Sequence, residues 1–307
     1  MSTGGEAAIA AEASRPCCNL CHAPLARQQQ PRWVKEGFAI YECGACGLLF
    51  RGDLPSHQEL LSIYGQDYFL RPAGANSEGY ADYLSDEAEH RLTARRRVDQ
   101  LERMAGRGRL LDVGSAAGFF MDEARTRHWD VRGIDVSPEM SAWARDWLGL
   151  DVATGAFQLT SYPRGSFDAV TMWDYIEHSI DPAGDFAKAA EVLRPGGLLL
   201  LSTGDAAAPV ARLSGQRWHL LTPRHHNFFF TVETLRRYLR EYGFEPLSIG
   251  HPGGRYSLRY VVHKLGTMAP RSRALRKLEA FTSERPLGDR SLRLNLFDIV
   301  TVAARKV

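Results

Sequence analysis

Apolar and polar positions follow two different rhythms along the chain, and the switches between them mark its elements. From Arg109 onward, short apolar strands are separated by helical stretches. They are "RLLDVG", a helix from about Gly118 to Arg127, "DVRGIDVS", a helix through "PEMSAWARDWLG", "DVATG", "FDAVTMW", a helix at "DPAGDFAKAAEVL", and "GGLLLLSTG". Such alternation predicts an α/β fold with a parallel sheet covered on both faces, whose ligand sits beyond the carboxyl ends of the strands. A helix is expected from Val232 to Tyr242, and "LRLNLFDIVTVAARKV" reads as a terminal strand. Upstream, "SHQELLSIYGQDYFL" and a helix from about Ser85 to Met104 supply a connector and a cap, in which Tyr64 and Tyr68 recur four apart, either as a core stripe or as ligand contacts. The resulting division is a disordered leader at 1–15, a small module at 16–54, the connector at 55–105, and an α/β domain at 106–307 carrying a helical insertion at about 250–293.

Composition narrows the class. At 307 residues, 44% hydrophobic and 24% charged, the chain is that of a globular protein. Its longest strongly apolar run, Leu198 to Leu201, is far too short for a membrane span. The first sixteen residues lack a basic start and a long apolar stretch, so no secretory signal is expected and the cytoplasm is the expected location. A net charge of +2 with interspersed signs makes no electrostatic case for nucleic acid. Arg95, Arg96 and Arg97 cluster, as a solvated helix face or a phosphate contact. Nothing in the pattern addresses oligomeric state.

All five cysteines precede residue 47, and four form two Cys-x-x-Cys pairs, Cys18 with Cys21 and Cys43 with Cys46. Two such knuckles joined by the hairpin-like "RWVKEGFAIYEC" match the ligand set of a tetrahedral zinc ion, and four thiolates leave it no open position, so the ion is expected to be structural. Disulfides are disfavoured in a reducing compartment, and a redox pair needs only one Cys-x-x-Cys. Cys17 could replace Cys18, but the spacing favours Cys18; His22 reads as a neighbour of the site or a surface residue.

The segment "LLDVGSAAGFF" at 110–120 is a strand entering a glycine turn. Its glycines do not follow the G-x-G-x-x-G spacing of a dinucleotide site, and Asp112 at the strand end would repel a pyrophosphate while suiting an ammonium group. Asp135 ends the next strand, twenty-three residues later, where an acid can bond a ribose. Ribose plus ammonium points to S-adenosylmethionine (SAM). Both acids could instead merely cap helices, although Ser137, directly before Pro138, is the better cap.

With "GIDVSPEM", "FDAVTMWDYIEHSIDP" and "LRPGGLLLLST" following in order, residues 107–204 resemble the class I SAM-dependent methyltransferases. The resemblance implies a Rossmann-like seven-stranded sheet with an antiparallel last strand, running at the sheet edge beside "FEPLSI". It also implies that Gly114, Ser115 and Gly118 admit the methionine moiety, that Asp112 faces its ammonium group and Asp135 its ribose, and that Val136 and Met140 flank the adenine. Ala156, Phe157 and Trp173 complete the expected donor site. Ser115 and Ala116 depart from the family's usual cysteine or glycine, and the methyl at 116 narrows the turn but is compatible with a close approach if its φ stays negative.

For the acceptor, the candidates are His178, in "DYIEH", and the loop "SGQRWHLLTPRHHNFFFT" with Trp218, His219, His225 and His226. His226 is the favoured base, with His178 and His225 as further catalytic candidates; the same residues could equally be structural, packing beneath the loop. The cysteine module joined to this core resembles bacterial methyltransferases that tailor sugars and polysaccharides. That implies a sugar or sugar nucleotide as the small-molecule acceptor, with O-methylation of an aromatic or quinone-type molecule as the alternative. A rival of another class is a non-catalytic zinc-ribbon binding protein with a vestigial SAM fold.

Overall fold

The computed structural model describes residues 17–26, 29–64, 83–259, 261–262, 266, 272–283 and 291–307. The expected leader at 1–15 and Tyr68 lie outside them. The cysteine region builds strands β1 (Trp33–Lys35), β2 (Phe38–Glu42) and β3 (Leu49–Arg51). Lys35 pairs with Phe38, so Glu36 and Gly37 form a two-residue hairpin turn, and both carry the positive φ, 54° and 84°, that a twist-matched turn demands. Helix α1 (His57–Ile63) begins at a capping box in which Ser56 and Glu59 satisfy each other's backbone N–H. Helix α2 (Glu87–Glu102) covers the expected cap segment.

The α/β block follows as β4 (Arg109–Val113), α3 (Phe119–Thr126), β5 (Asp130–Asp135), α4 (Pro138–Leu148), β6 (Val152–Thr154), β7 (Phe167–Trp173), α5 (Pro182–Val192) and β8 (Leu193–Gly204). Then come α6 (Pro209–Ser214), β9 (Phe228–Phe229), α7 (Val232–Glu241), β10 (Phe244–Gly250), β11 (Gly254–Ser257), α8 (Arg273–Ser283), β12 (Ser291–Leu294) and β13 (Ile299–Lys306). The seven-stranded sheet has the order β10-β13-β8-β7-β4-β5-β6, and β13 runs antiparallel to both of its neighbours. The last strand therefore sits second from the edge, not at it; β10 takes the edge. The insertion is not purely helical either, since β11 and β12 pair across it.

Strand alternation sorts the core onto two faces. Leu111, Val113, Val170, Met172, Leu199 and Leu201 pack on one face with α5, α7 and the cysteine knuckles. Leu110, Ala169, Leu198 and Leu200 pack on the other with Val98 and Leu101 of α2 and Phe120, Met121 and Ala124 of α3. The cysteine module is knitted into the block through its backbone. β3 pairs with β9, Leu49 with Phe229 and Phe50 with Phe228, so the module's sheet reads β1-β2-β3-β9 and ends in a strand from the far half of the chain. Asn19, between the first two cysteines, donates to Asp181, accepts from the Ala183 amide at the start of α5, and accepts from the Tyr238 hydroxyl of α7.

Candidate functional site

The glycine turn leaves β4 at Val113. Gly114 has φ 73°, and a Cβ there would lie 2.7 Å from the Tyr175 ring, so the position requires glycine. Gly118, φ 80°, serves packing: a Cβ would fall 2.6 Å from Leu150 and 3.3 Å from Ala144. Ala116 adopts φ 45°, contrary to the negative value expected. Its backbone N–H donates to Asp135 Oδ2 at 2.8 Å, which holds an alanine in a conformation it would otherwise avoid.

Asp112 is buried; its one recorded hydrogen bond comes from the Thr171 hydroxyl at 2.6 Å, on one oxygen. Burial pushes its carboxyl up to about 7. Asp135 is buried too and accepts from the amides of Ala116 and Ser137, one on each oxygen, which leaves lone pairs for further donors. Ser137 is the cap of α4, accepting from the Met140 amide. Met140 is buried beside Leu60, Tyr64, Ala117 and Phe119, with Val136 half-buried against them, so α1 packs against the start of α4 and the glycine turn. Ser115 is buried next to the turn, and Ala156 precedes a short helical turn that begins at the buried Phe157. Trp173 points to the opposite layer, edge-on to Phe120 and under the Arg97 guanidinium at 4.7 Å. Two buried acids thus stand at the carboxyl ends of β4 and β5, beside the glycine turn and an apolar wall.

Beyond β7 the chain crosses the strand ends. Asp174 has φ 51° and pairs with Arg97 and Ser202. Glu177, His178 and His226 each place one donor atom within 4.8 Å of the others. The imidazoles meet edge to face, 4.7 Å between centroids. His226 Nδ1 lies 2.8 Å from the Leu220 carbonyl, a geometry that makes it the donor. His178 Nδ1 lies 2.6 Å from the Tyr64 hydroxyl and 3.0 Å from the His225 carbonyl. Burial keeps both rings neutral, His178 down to about 4 and His226 well below its ordinary value. Glu177 is raised to about 8 by burial and by the Asp174 charge. The cluster thus offers ring-nitrogen lone pairs and a carboxyl, donors suited to taking a proton or a Lewis acid.

Of the expected acceptor constellation, His226 and His178 come together and His225 contributes its carbonyl. Trp218 and His219 do not join them; both turn to Asp298, Trp218 Nε1 at 3.1 Å and His219 Nδ1 at 3.5 Å. Two residues that pattern reading passed over hold the cluster. Asn227 donates from Nδ2 to the carbonyls of His178 and Ser179 and from its amide to that of Glu177. Buried Arg51 of β3 donates to the Asn227 side chain and to the Pro223 carbonyl. The only sequence signal is a lone polar residue opening the run "NFFF".

The four cysteines meet at the other end of the module. Sγ of Cys18 lies 3.4 Å from that of Cys46, Cys21 lies 3.5 Å from Cys43, and all four sulfurs fall within 4.8 Å of one another. Cys17 is exposed and outside the cluster.

The strand order, the antiparallel β13 and the crevice at the carboxyl ends of β4 and β5 define a class I methyltransferase that uses SAM. The chain belongs to the methyltransferase-domain family, whose model matches residues 85–249. The ubiquinone biosynthesis O-methyltransferase of Aromatoleum aromaticum (strain DSM 19018 / LMG 30748 / EbN1) is 32% identical over 184 residues, 55% of this chain and 78% of that protein. That of Xanthomonas axonopodis pv. citri (strain 306) is 31% identical over 149 residues, 45% of this chain and 62% of that protein, so the chain spans less than two thirds of the latter's length. Among solved structures, the geranyl diphosphate C-methyltransferase of Streptomyces coelicolor A3(2) aligns with a TM-score of 0.51 at 15% identity, over 82% of this chain and 99% of that one. The [4+2]-cyclase SpnF aligns at 0.50 and 21%, over 82% and 97%. These two likenesses concern the fold alone. No helix among the described residues is long and apolar enough to cross a membrane.

Proposed function

We propose that this enzyme transfers the methyl group of SAM to a hydroxyl-bearing small molecule, first of all a sugar or sugar nucleotide, with no nucleic acid as partner. The observation that carries the reading is the Glu177–His178–His226 cluster, in which the segment that leaves β7, beside β4, meets the loop before β9. A polar, hydrogen-bonding acceptor site of this kind discriminates by hydroxyls, not by an apolar slot. In this reading Asp112 holds the donor's ammonium group, Gly114 and Ser115 admit its methionine moiety and Asp135 bonds its ribose. Val136, Met140, Ala156 and Phe157 line the adenine. Gly118 and Trp173 act from behind, through packing. The sulfonium carbon is already activated, so positioning an acceptor hydroxyl in line does much of the work, and the cluster is where that hydroxyl loses its proton.

A four-thiolate zinc ion is proposed for Cys18, Cys21, Cys43 and Cys46. Their sulfurs have the spacing that bonds of about 2.3 Å to a tetrahedral ion require, and the site is structural because no ligand position is left over. A second reading, O-methylation of a phenolic quinone precursor, is favoured by the names of the curated relatives.

Radiolabelled SAM with a panel of sugar nucleotides, free sugars and catechols tests both. Label on a sugar supports the first reading and label on a phenol the second. SAM binding without transfer to any hydroxylated acceptor overturns both and restores the non-catalytic alternative.

A further inference from the structure

We infer that Glu177, His178 and His226 form a second cation site, for a first-row divalent ion at which the acceptor's oxygen is held. The inference rests on placing the acceptor at this cluster. Three features carry it. First, the donor set is two imidazoles and one carboxylate, each with a ligand atom within 4.8 Å of the other two, a combination that binds such ions and leaves coordination positions open. Second, the rings are oriented as metal-ligating histidines are: Nδ1 of His226 is engaged by the Leu220 carbonyl, Nδ1 of His178 by the His225 carbonyl and the Tyr64 hydroxyl, and among the described residues neither Nε2 makes a hydrogen bond. Third, Glu177 is buried, Oε2 has no hydrogen-bond partner, and no ion pair to Glu177 occurs among the described residues. The nearby cation, Arg97, is already paired with Asp174. A divalent ion would supply the counter-charge that the ionised form of this buried carboxyl lacks.

The ion's place is distinct from the four-cysteine cluster in chemistry as well as position: nitrogen and oxygen donors in place of thiolates, with open positions in place of a closed tetrahedron. An acceptor hydroxyl on an open position loses its proton to solvent as its acidity rises. Its oxygen pair then forms the bond to the methyl carbon while the carbon–sulfur pair returns to sulfur, leaving a neutral thioether.

The test titrates the full chain, with zinc on its cysteines, with Mn²⁺ and follows loss of the free-ion spin-resonance signal; Mn²⁺ avoids thiolate sites. About one equivalent is expected to bind, weakened at least about tenfold in His226→Gln and in Glu177→Gln. SAM titration of each variant shows that the fold is intact. No binding at millimolar Mn²⁺, or equal binding in both variants, overturns the inference. Methyl transfer that proceeds without the ion would leave the acceptor placement standing while this site falls.

Discussion

Asp112 ends β4 shut away from water, and its carboxyl is held near 7 in the ligand-free protein. An ammonium group stabilises only the ionised form, so a proton must leave before the donor is bound. The sign follows: SAM affinity is expected to climb about tenfold per pH unit below 7 and to level off above it, because each proton bound to Asp112 competes with the ligand. Asp112→Asn, which cannot ionise, should give a flat profile and affinity lower by about tenfold or more, the worth of a charge-assisted contact. Calorimetric titration between pH 5.5 and 8.5 reads both, and a wild-type profile without slope would remove Asp112 from the ammonium site. Gly118 makes a contrasting case. Alanine there must take a left-handed φ and push Leu150 aside, which should cost about 2–3 kcal/mol of stability in urea unfolding. The glycine is structural, so SAM affinity of the folded fraction should barely change. The residues of the turn look alike in sequence and differ in what they do, because sequence shows that a glycine is present and not which atoms would meet its Cβ.

At the scale of elements, the segment after β7 and the loop before β9 are tied by one side chain. Asn227 gives its two amide hydrogens to the carbonyls of His178 and Ser179 and receives a hydrogen bond from Arg51. Truncating it strands the buried carbonyls of His178 and Ser179 and removes one of the acceptors of the Arg51 guanidinium, so Asn227→Ala should destabilise by about 2–4 kcal/mol. Arg51→Met should act in the same direction while leaving the Asn227 bonds to the 178–179 carbonyls in place, and limited proteolysis should find the 215–227 loop more easily cut in both. Uncut loops at full stability would show that the brace is dispensable. Pattern reading found the strands and helices of the α/β block because their apolar periods are long and their caps, such as Ser137 before Pro138 and Thr231 before Val232, are local. It could not find β9. Two phenylalanines carry no period, and their partner, β3, lies nearly 180 residues upstream. A similar distance hid Arg51 and Asn227, and a partner 80 residues downstream of Trp218, Asp298, made Trp218 and His219 look like neighbours of His226.

For the whole molecule, the question is whether the cysteine module is an appendage or part of the enzyme. Three links argue for the second: the β3–β9 ladder, Asn19 at the start of α5 and on Tyr238, and the packing of Cys18, Cys43 and Leu48 in the same core as Phe186 and Tyr238. If an ion holds the four sulfurs, its binding free energy stabilises every element that cannot unfold alone, by about 1.4 kcal/mol for each tenfold excess of free ion over its dissociation constant. Chelation should therefore lower one cooperative transition by several degrees, at roughly 2 °C or more per kcal/mol for a chain of this size, with no early separate step. Scanning calorimetry with and without chelator reads this, and Cys46→Ser should reproduce the chelated trace without further response to chelator. An appendage would give the opposite record: a small transition lost on chelation and a main transition unmoved. The coupled outcome has a consequence for the acceptor side. Because β9 directly follows His226 and Asn227, losing the thiolate ion should loosen the acceptor loop before it disturbs the donor crevice, whose walls come from β4, β5, α1 and α4. At partial chelation, SAM affinity should persist while methyl transfer falls; loss of both together would mean that the module supports the sheet as a whole.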